Sequence, residues 1–207
     1  MTTDAKSKLR DILSAIADIN YINPDDIPNI DLYMDQVTTF MDEHLRSSKR
    51  YEDDKVLTKT MINNYAKNNL LPPPAKKKYS KEHILVMIFI YYFKNILSIK
   101  DIETLLNPVT EKYFGNPSDM DMNDIYGEIL KLEKSRIDTV TKDIVRSFDD
   151  ASKSFEDAPE EDREYLQLFA FICSLSFDVY VKKLLMQKII DGADAAVEGE
   201  KKGKKKK

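Results

Sequence analysis

The sequence predicts an all-α fold. Among its 207 residues there are only five glycines and no tryptophan, and its long stretches are rich in Leu, Ile, Met, Lys, Asp and Glu. Such residues favour helices over a sheet of many short strands. The chain is 42% apolar and 33% charged, which is ordinary for one or two small globular domains with a real core.

Two helices are predicted near the N-terminus. Apolar residues at three- and four-residue steps predict an amphipathic helix over residues 8–22, which Asn23 and Pro24 end. A second helix is predicted over residues 31–45, and the charged run after it is expected to be a linker. The expected inner side of the second helix consists of Leu32, Gln36, Val37, Phe40, Met41 and His44.

A short helix and a long apolar helix follow. Thr58 is a good N-cap for a helix that closes at Asn68 and Asn69, because asparagine tolerates the left-handed conformation. The prolines 72–74 cannot continue this helix and hold the chain extended. Ser80 then opens a helix that runs through an uninterrupted apolar block to about residue 95.

The middle of the chain is expected to contain a helix and a hinge. Ser98, with Asp101 in the first turn, opens a helix that Asn107 and Pro108 are expected to stop. Residues 109–122 contain glycine and proline and are therefore expected to be a hinge.

Two long helices, over residues 123–155 and 160–191, are predicted to form a hairpin. The second contains the apolar run 165–181, so it is expected to be covered on more than one side, by the chain itself or by a second subunit in a two-fold dimer. Cys173, inside this run, is expected to be buried. The lysine-rich residues 192–207 are expected to be disordered.

Several classes of function and location are not expected. The single cysteine fits a reducing cytoplasm, the N-terminus lacks the features of a signal peptide, and neither apolar run reads as a membrane span. His44 and His83 have no further ligand at metal-binding spacing. Because the sequence shows neither a glycine-rich phosphate loop nor a nucleophile with an evident base, we expect no enzyme activity and no cofactor.

The most informative stretch is residues 55–81, which contains seven lysines and no aspartate or glutamate. The whole chain has a net charge of −4, so this basic island lies in an otherwise acidic protein. Segregated positive charge creates a local field that attracts polyanions, of which DNA is the first candidate.

Residue chemistry in the island is suited to DNA. Asn63 and Asn64 can each offer a donor and an acceptor to a base edge, which is the pairing that recognises adenine in the major groove. Lys59, Lys67 and the loop lysines could contact phosphates. The alternative is that both asparagines are ordinary surface residues and the lysines belong to a solvated loop.

The order of these parts resembles the DNA-binding domain of MerR-type regulators over about residues 28–106. Residues 30–36 and 61–65 also resemble a bacterial family labelled only as a domain of unknown function. The strings that carry the MerR resemblance are Leu57-Thr58-Lys59-Thr60-Met61-Ile62-Asn63-Asn64-Tyr65, Leu70-Leu71-Pro72-Pro73, Lys77-Lys78-Tyr79-Ser80 and Leu97-Ser98-Ile99-Lys100-Asp101-Ile102-Glu103-Thr104-Leu105-Leu106.

In MerR-type proteins the second helix of a helix-turn-helix enters the major groove and a basic wing holds the neighbouring backbone. By this resemblance Thr58 matches the helix-opening serine, and Lys77 matches the wing arginine. Asn63 matches the groove-side arginine, while Asn64 and Tyr65 match a pair of tyrosines. The expected DNA-contacting residues are Thr58, Lys59, Thr60, Asn63, Asn64, Tyr65, Lys67, Lys76, Lys77, Lys78 and Tyr79.

The expected organisation is a MerR-like winged helix-turn-helix domain followed by a C-terminal helical hairpin region. The segments are an N-terminal amphipathic helix (1–27), the winged helix-turn-helix domain (28–108), a helical dimerisation or effector region (109–191) and the disordered tail (192–207). The expected function is sequence-specific binding of double-stranded DNA by a homodimeric transcriptional regulator, with a small-molecule effector left open. The alternative is a helical protein-protein interaction module that kept the fold without DNA binding.

Overall fold

The computed structural model of the protein describes residues 3–17, 22–116 and 120–204, which are mostly helical, as the composition predicts. The elements, in chain order, are α1 (Thr3–Ala17), a 3₁₀ turn (Pro24–Asp26), β1 (Leu32–Tyr33), α2 (Met34–His44), a 3₁₀ turn (Arg46–Ser48), α3 (Lys59–Lys67), β2 (Lys78–Tyr79), α4 (Lys81–Phe93), α5 (Ile99–Tyr113), α6 (Met122–Ser152) and α7 (Glu160–Lys204).

The chain divides into two compact units. The first, which we call the hairpin unit, consists of residues 1–19 and 131–184 and therefore contains α1, most of α6 and the first half of α7. Its buried core is small: Phe148 and Phe171 meet edge to face with ring centroids 5.3 Å apart, and Ala151 completes the cluster. The buried amide of Gln167 donates to the carbonyl oxygens at the end of α6, which ties the two helices of the hairpin together.

The second unit, which we call the core unit, consists of residues 20–130 and 185–207. Its centre is α4, in which every side chain from His83 to Tyr91 is buried. A helix that is apolar all round has to be covered on all sides. The antiparallel pair of β1 and β2, with Leu32 opposite Tyr79, packs against α2 and α4 and contributes two further buried side chains.

Local capping signals are confirmed. Thr58 and Ser98 each accept a hydrogen bond from the backbone N–H three residues later, at 3.1 Å. Asn69 has a φ of +56°, the left-handed conformation expected at the end of α3. These three signals depend on residues that are neighbours in the sequence.

Three helix boundaries differ from the prediction at their N-terminal side or at a proline. α1 begins at Thr3 and is helical to Ala17; the rest of its predicted span falls on residues 18–21, outside the described residues, and on Ile22, which is not helical. α2 begins at Met34 because the two residues before it form β1. α5 does not stop at Pro108 but continues to Tyr113.

The continuation of α5 through Pro108 has a tertiary cause. Proline removes one backbone hydrogen bond from the helix. However, Val109 and Tyr113 pack against the core, and the Thr110 hydroxyl donates to carbonyl oxygens of the preceding turn at 3.2 Å. The expected hinge over residues 109–122 is therefore helical up to Tyr113, and residues 117–119 lie outside the described part of the chain.

The helix α7 differs most from its prediction. It continues to Lys204, so the tail expected to be disordered from residue 192 is helical up to that point. Cys173, which was expected to be buried, is exposed, because one side of the apolar run remains uncovered in this single chain. No helix within the described residues is long and apolar enough to cross a membrane.

Candidate nucleic-acid interface

The inner side of α3 fixes the helix to the core unit. Ile62 and Tyr65 are buried, with 0% and 5% of their surface exposed, and Met61 is half-buried beside them. The opposite side of the helix is exposed, and we call it the outer face of α3. It consists of Lys59, Thr60, Asn63, Asn64 and Lys67.

The segment before α3 is held by α4. The Lys94 Nζ atom donates to the carbonyl oxygen of Val56 at 2.8 Å and lies 4.7 Å from the centre of the Tyr91 ring. The Tyr91 hydroxyl in turn forms a hydrogen bond with the Ser48 hydroxyl. Burial lowers the pKa of Lys94, which is the expected effect for an ammonium group removed from water. These contacts position the start of α3.

The segment after α3 is equally fixed. The backbone N–H groups of Leu70 and Leu71 both donate to the carbonyl oxygen of Tyr65, at 2.9 and 3.3 Å. Both leucine side chains are 1% exposed. The chain therefore leaves α3 along a defined path.

This path leads to a tight turn over residues 75–78, which we call the basic turn. The Lys78 N–H donates to the Ala75 carbonyl oxygen at 2.9 Å, and the two central residues, Lys76 and Lys77, have φ values of +50° and +65°. Positive φ at both central positions is typical of a type I′ turn, which glycine and asparagine favour. Both lysines are exposed, and each holds a backbone conformation that costs a residue with a side chain about 1 kcal/mol or more.

A buried histidine lies at the start of α4, just after the basic turn. The Nδ1 atom of His83 accepts the backbone N–H of Ser80 at 3.0 Å, and the Ser80 hydroxyl lies 2.8 Å from the same atom. The imidazole packs edge-on against the rings of Tyr79 and Phe114, with centroids 5.5 and 4.7 Å away. The ring thus joins β2, α4 and the end of α5.

The environment of His83 favours the neutral imidazole. Burial lowers its pKa, and this effect outweighs the opposite influence of the carbonyl groups of Pro73 and Pro72 and of the Asp31 carboxylate. Since Nδ1 accepts a backbone N–H, the proton of the neutral ring is on Nε2. That atom is buried and has no hydrogen bond of good geometry to any described residue.

The lysines of the basic island are not neutralised. Within the part of the chain that the structure describes, none of the seven forms a salt bridge, whereas Lys49, just outside the island, pairs with Asp42 at 2.6 Å. Lys78 and Lys81 are half-buried, and the other five are exposed. The exposed members are Lys55, Lys59, Lys67, Lys76 and Lys77. Their charge is therefore available to a polyanion.

The amides on the outer face of α3 are also available. The side chains of Asn63 and Asn64 are exposed and make no hydrogen bond with the described residues. Asn68, by contrast, uses its amide to donate to the Asn64 carbonyl oxygen at 2.8 Å. Each free amide retains both a donor and an acceptor for a ligand.

Two predicted contact residues lie in the core instead. Tyr65 and Tyr79 are 5% and 3% exposed, and burial raises the pKa of both phenols. They support the surface from beneath. Apolar anchors fix the basic island to the core, because the same two tyrosines and their neighbours are buried. The anchors are Leu57, Ile62, Tyr65, Leu70, Leu71 and Tyr79.

Two other predicted residues have structural contacts. The Thr58 hydroxyl caps α3. The Nζ atom of Lys78 lies 5.1 Å from the centre of the Tyr33 ring, which is half exposed, so the lysine is held by a cation–π contact. Sequence reasoning missed the part played by Tyr33, since a two-residue strand is too short to show a period of two. It also missed Lys94, whose partner is 38 residues away.

The structure thus defines a helical domain with an unneutralised basic surface built from a short helix and a tight turn. The chain belongs to the family described as Domain of unknown function (DUF1836), whose model matches residues 22–129. This match coincides with the continuous segment of the core unit, residues 20–130. The comparison confirms the resemblance to a domain of unknown function and gives no support for membership of the MerR-type regulators.

No curated protein and no solved structure matches the chain. Within the described residues, no group of three or more His, Cys, Asp or Glu side chains could hold a metal ion. The function has to be argued from the surface itself.

Proposed function

We propose that this protein binds double-stranded DNA with the outer face of α3 and the basic turn, and that it acts as a sequence-specific transcriptional regulator in the cytoplasm. The observation that carries the proposal is the outer face of α3. Its five side chains are all polar or basic, none is acidic, and its two amides are free. The apolar side of the same helix is fully committed to the core.

The dimensions and chemistry of α3 suit the major groove. An α-helix with its side chains is about 10–12 Å across, and the groove of B-DNA is about 12 Å wide. Asn63 and Asn64 are central on the exposed side, where a bidentate amide can recognise adenine. Lys59 and Lys67 are two turns apart at the ends of the helix and would contact phosphates on either side.

The basic turn would act as the wing of a MerR-like winged helix-turn-helix. In support of this, α2 and α3 precede the basic turn, as the helix-turn-helix precedes the wing in the proteins that the sequence resembles. The hydrogen bond that closes the turn and the β1–β2 pairing that follows it hold the turn in place, so Lys76 and Lys77 present their charges at fixed positions. Fixed phosphate contacts set the register of a protein on DNA.

DNA binding by the variant Asn63→Ala tests the proposal directly. The purified protein is titrated with its own upstream DNA and with random DNA, using a gel shift or fluorescence anisotropy. We expect the variant to lose about 1–3 kcal/mol on the preferred site and much less on random DNA. The matched control is Asn95→Ala, which removes an exposed amide outside α3. Equal losses of Asn63→Ala on both DNAs would remove Asn63 from the recognition role.

The salt dependence of binding separates the two functions that the sequence left open. A DNA-binding protein loses affinity steeply as salt is raised, because it releases about 0.9 counterions per phosphate contact. An interaction module that kept the fold alone would have no DNA affinity to lose. Absence of binding at low salt would therefore replace the present proposal with the second one.

The proposed regulator is a homodimer. The exposed apolar side chains of α7 in the hairpin unit support this part of the proposal, because surfaces of this kind mark interaction sites. Sedimentation at micromolar concentration is expected to show a dimer. A monomer at that concentration would contradict it.

A further inference from the structure

Exposed residues of α7 form a regular and mostly apolar stripe along the hairpin unit. Steps of four and three residues place them on one side of the helix, at the spacing of a coiled-coil seam. We call this the α7 stripe, and it consists of Tyr165, Phe169, Ile172, Ser176, Val179 and Lys183. Tyr165 is 70% exposed, and Phe169 and Ile172 are 53% and 52% exposed.

The α7 stripe lies opposite the side of the helix that is already used. Gln167 and Phe171 are buried against α6, and they point away from the stripe by roughly half a turn of the helix. The residues 160–184 extend over about 37 Å at 1.5 Å per residue. A seam of this length and composition is unusual on a protein that remains single.

Charge along α7 is segregated in the same unit. The first turn of α7 contains Glu160, Glu161 and Asp162, while Lys182 and Lys183 lie at the other end of the segment, near residue 184. In a parallel pair of α7 helices these like charges would face each other, which is unfavourable. In an antiparallel pair each acidic end would meet a basic end. Charge complementarity therefore identifies a second copy of this chain, in antiparallel orientation, as the partner.

The geometry points to one register, and we propose that two copies of α7 pair antiparallel through the α7 stripe with the two-fold axis between Ile172 and Cys173. Placing Asp162 opposite Lys183 of a second copy brings Ile172 opposite Cys173 of that copy. Phe169 then faces Ser176 of the second copy, so a large side chain meets a small one. This inference specifies the homodimer proposed above and does not depend on DNA binding.

Tyr165 meets the apolar residues at the far end of the seam in the same register. It faces Val179 and Tyr180 of the second copy, and all three are more than half exposed in one chain. Apolar side chains thus meet towards both ends of the seam. Cys173, which is exposed and next to the two-fold axis, lies opposite Ile172 of the second copy.

Cross-linking of single cysteines tests the register in the full-length protein. In a Cys173→Ser background, Asp162→Cys and Lys183→Cys are made separately, and the two chains are also co-expressed with different tags. A short thiol cross-linker is expected to join the two different chains and neither variant to itself. Residues 162 and 183 are about 31 Å apart on one helix, so no link forms within a chain.

Each other result overturns the inference. Links within either single variant would show parallel pairing. A dimer in sedimentation with no link in the co-expressed pair would leave the homodimer standing and place its interface elsewhere. A monomer would refute both, and an unrelated protein would then be the partner of the stripe. DNA binding is measured separately, so its failure is distinguishable from all three results.

A charge exchange gives an independent measurement. Lys183→Glu is expected to weaken the dimer at least about tenfold, a change of 1.4 kcal/mol, and Asp162→Lys in the same chain is expected to restore most of the loss. Lys142→Glu makes the same charge change on exposed α6 and is expected to leave the dimer constant unchanged. If the double variant dimerises no better than Lys183→Glu alone, the proposed register is wrong.

Discussion

The two units of the molecule treat apolar surface in opposite ways. In the core unit, α4 is buried over nine consecutive residues from His83 to Tyr91, and the exposed outer face of α3 is entirely polar. In the hairpin unit, the buried cluster is small, and α7 exposes residues such as Phe169 and Ile172. An exposed polar surface with unpaired cations complements a polyanion, whereas an exposed apolar seam complements another apolar seam.

This contrast teaches that the two units depend on different conditions. The core unit contains within one chain the apolar contacts that stabilise it. The hairpin unit leaves much of its apolar surface in water unless a second copy covers it, so its stability should rise with protein concentration. The surface proposed for DNA and the surface proposed for assembly thus lie in different units.

The largest expected effect compares the two units by mutation. Ile62→Ala removes a fully buried side chain from the inner side of α3 and is expected to lower the free energy of unfolding by about 2–5 kcal/mol. Leu132 is 60% exposed on α6, and Leu132→Ala is expected to change stability by no more than about 0.5 kcal/mol. Denaturant unfolding measures the free energy of unfolding of both variants. If the two variants lose similar amounts of stability, the contrast between a buried and an exposed side chain is wrong.

Local signals made much of the fold predictable. The caps at Thr58 and Ser98 and the left-handed Asn69 depend on hydrogen bonds or backbone preferences within a few residues. The failure at Pro108 has the opposite cause, because packing of the following turn on a distant core outweighs the local preference. The exposure of Cys173 could not be predicted from the sequence either. An apolar run has the same sequence pattern whether its own chain or a partner covers it.

The candidate site shows the same limit. Charge segregation is a property of the sequence, so the basic island was predictable, and its lysines form no salt bridge with the residues that the structure describes. Whether the side chain of a tyrosine faces inward depends on how its helix or strand is rotated relative to the core. The resemblance placed Tyr65 and Tyr79 in contact with DNA, although their apolar neighbours bury both.

The next effect concerns pH and the core unit alone. Burial lowers the pKa of His83, so the unfolded chain takes up a proton on this side chain before the folded protein does. Above about pH 6.5, the pKa of histidine in the unfolded chain, the contribution of neutral His83 to stability is complete. It is lost as the pH falls below that value, and the loss stops once the pH is below the pKa in the folded protein. Acid should therefore weaken the junction of β2, α4 and α5.

The variant His83→Gln isolates this contribution. Glutamine can still accept the Ser80 N–H at the third position of α4, so the cap is retained. We expect the unfolding free energy of the variant to fall less than that of the natural protein between pH 7 and pH 5. The carboxylates that titrate in the same range are present in both and cancel in the difference. Parallel pH curves would contradict the assigned role.

A smaller effect is expected in the basic turn, where one double substitution should raise the stability of the fold and lower its affinity for DNA. Replacing Lys76 by Asn and Lys77 by Gly supplies the residues that a type I′ turn favours, so the free energy of unfolding should rise by about 1 kcal/mol. Both charges are lost, and the affinity for specific and random DNA should fall alike, with a salt slope lower by about 0.9 per lost phosphate contact. Lys142→Asn with Lys153→Asn removes the same charge from exposed positions in α6 and just after it, as a control. Unchanged DNA affinity in the turn variant would exclude the turn from the interface.

The smallest expected effect compares the basic island with the second block of lysines at the C-terminus. The island is attached to the core through buried side chains such as Leu57, Leu70 and Tyr79, so its charges have fixed positions. No apolar residue follows Val197, so nothing in the sequence can dock the terminal lysines on a core. Fixed charges set the register on DNA, whereas undocked ones only add attraction.

Deletion of residues 198–207 tests this difference, because the deletion removes lysines without touching the island. Binding to specific and random DNA should both weaken modestly, and more so at low salt, while the ratio of the two affinities stays nearly constant. The ratio is the informative quantity, since it cancels the sequence-independent attraction that every lysine contributes. If the shortened protein keeps its overall affinity but no longer distinguishes the two DNAs, the terminal lysines recognise sequence, and the outer face of α3 is the wrong place for the site.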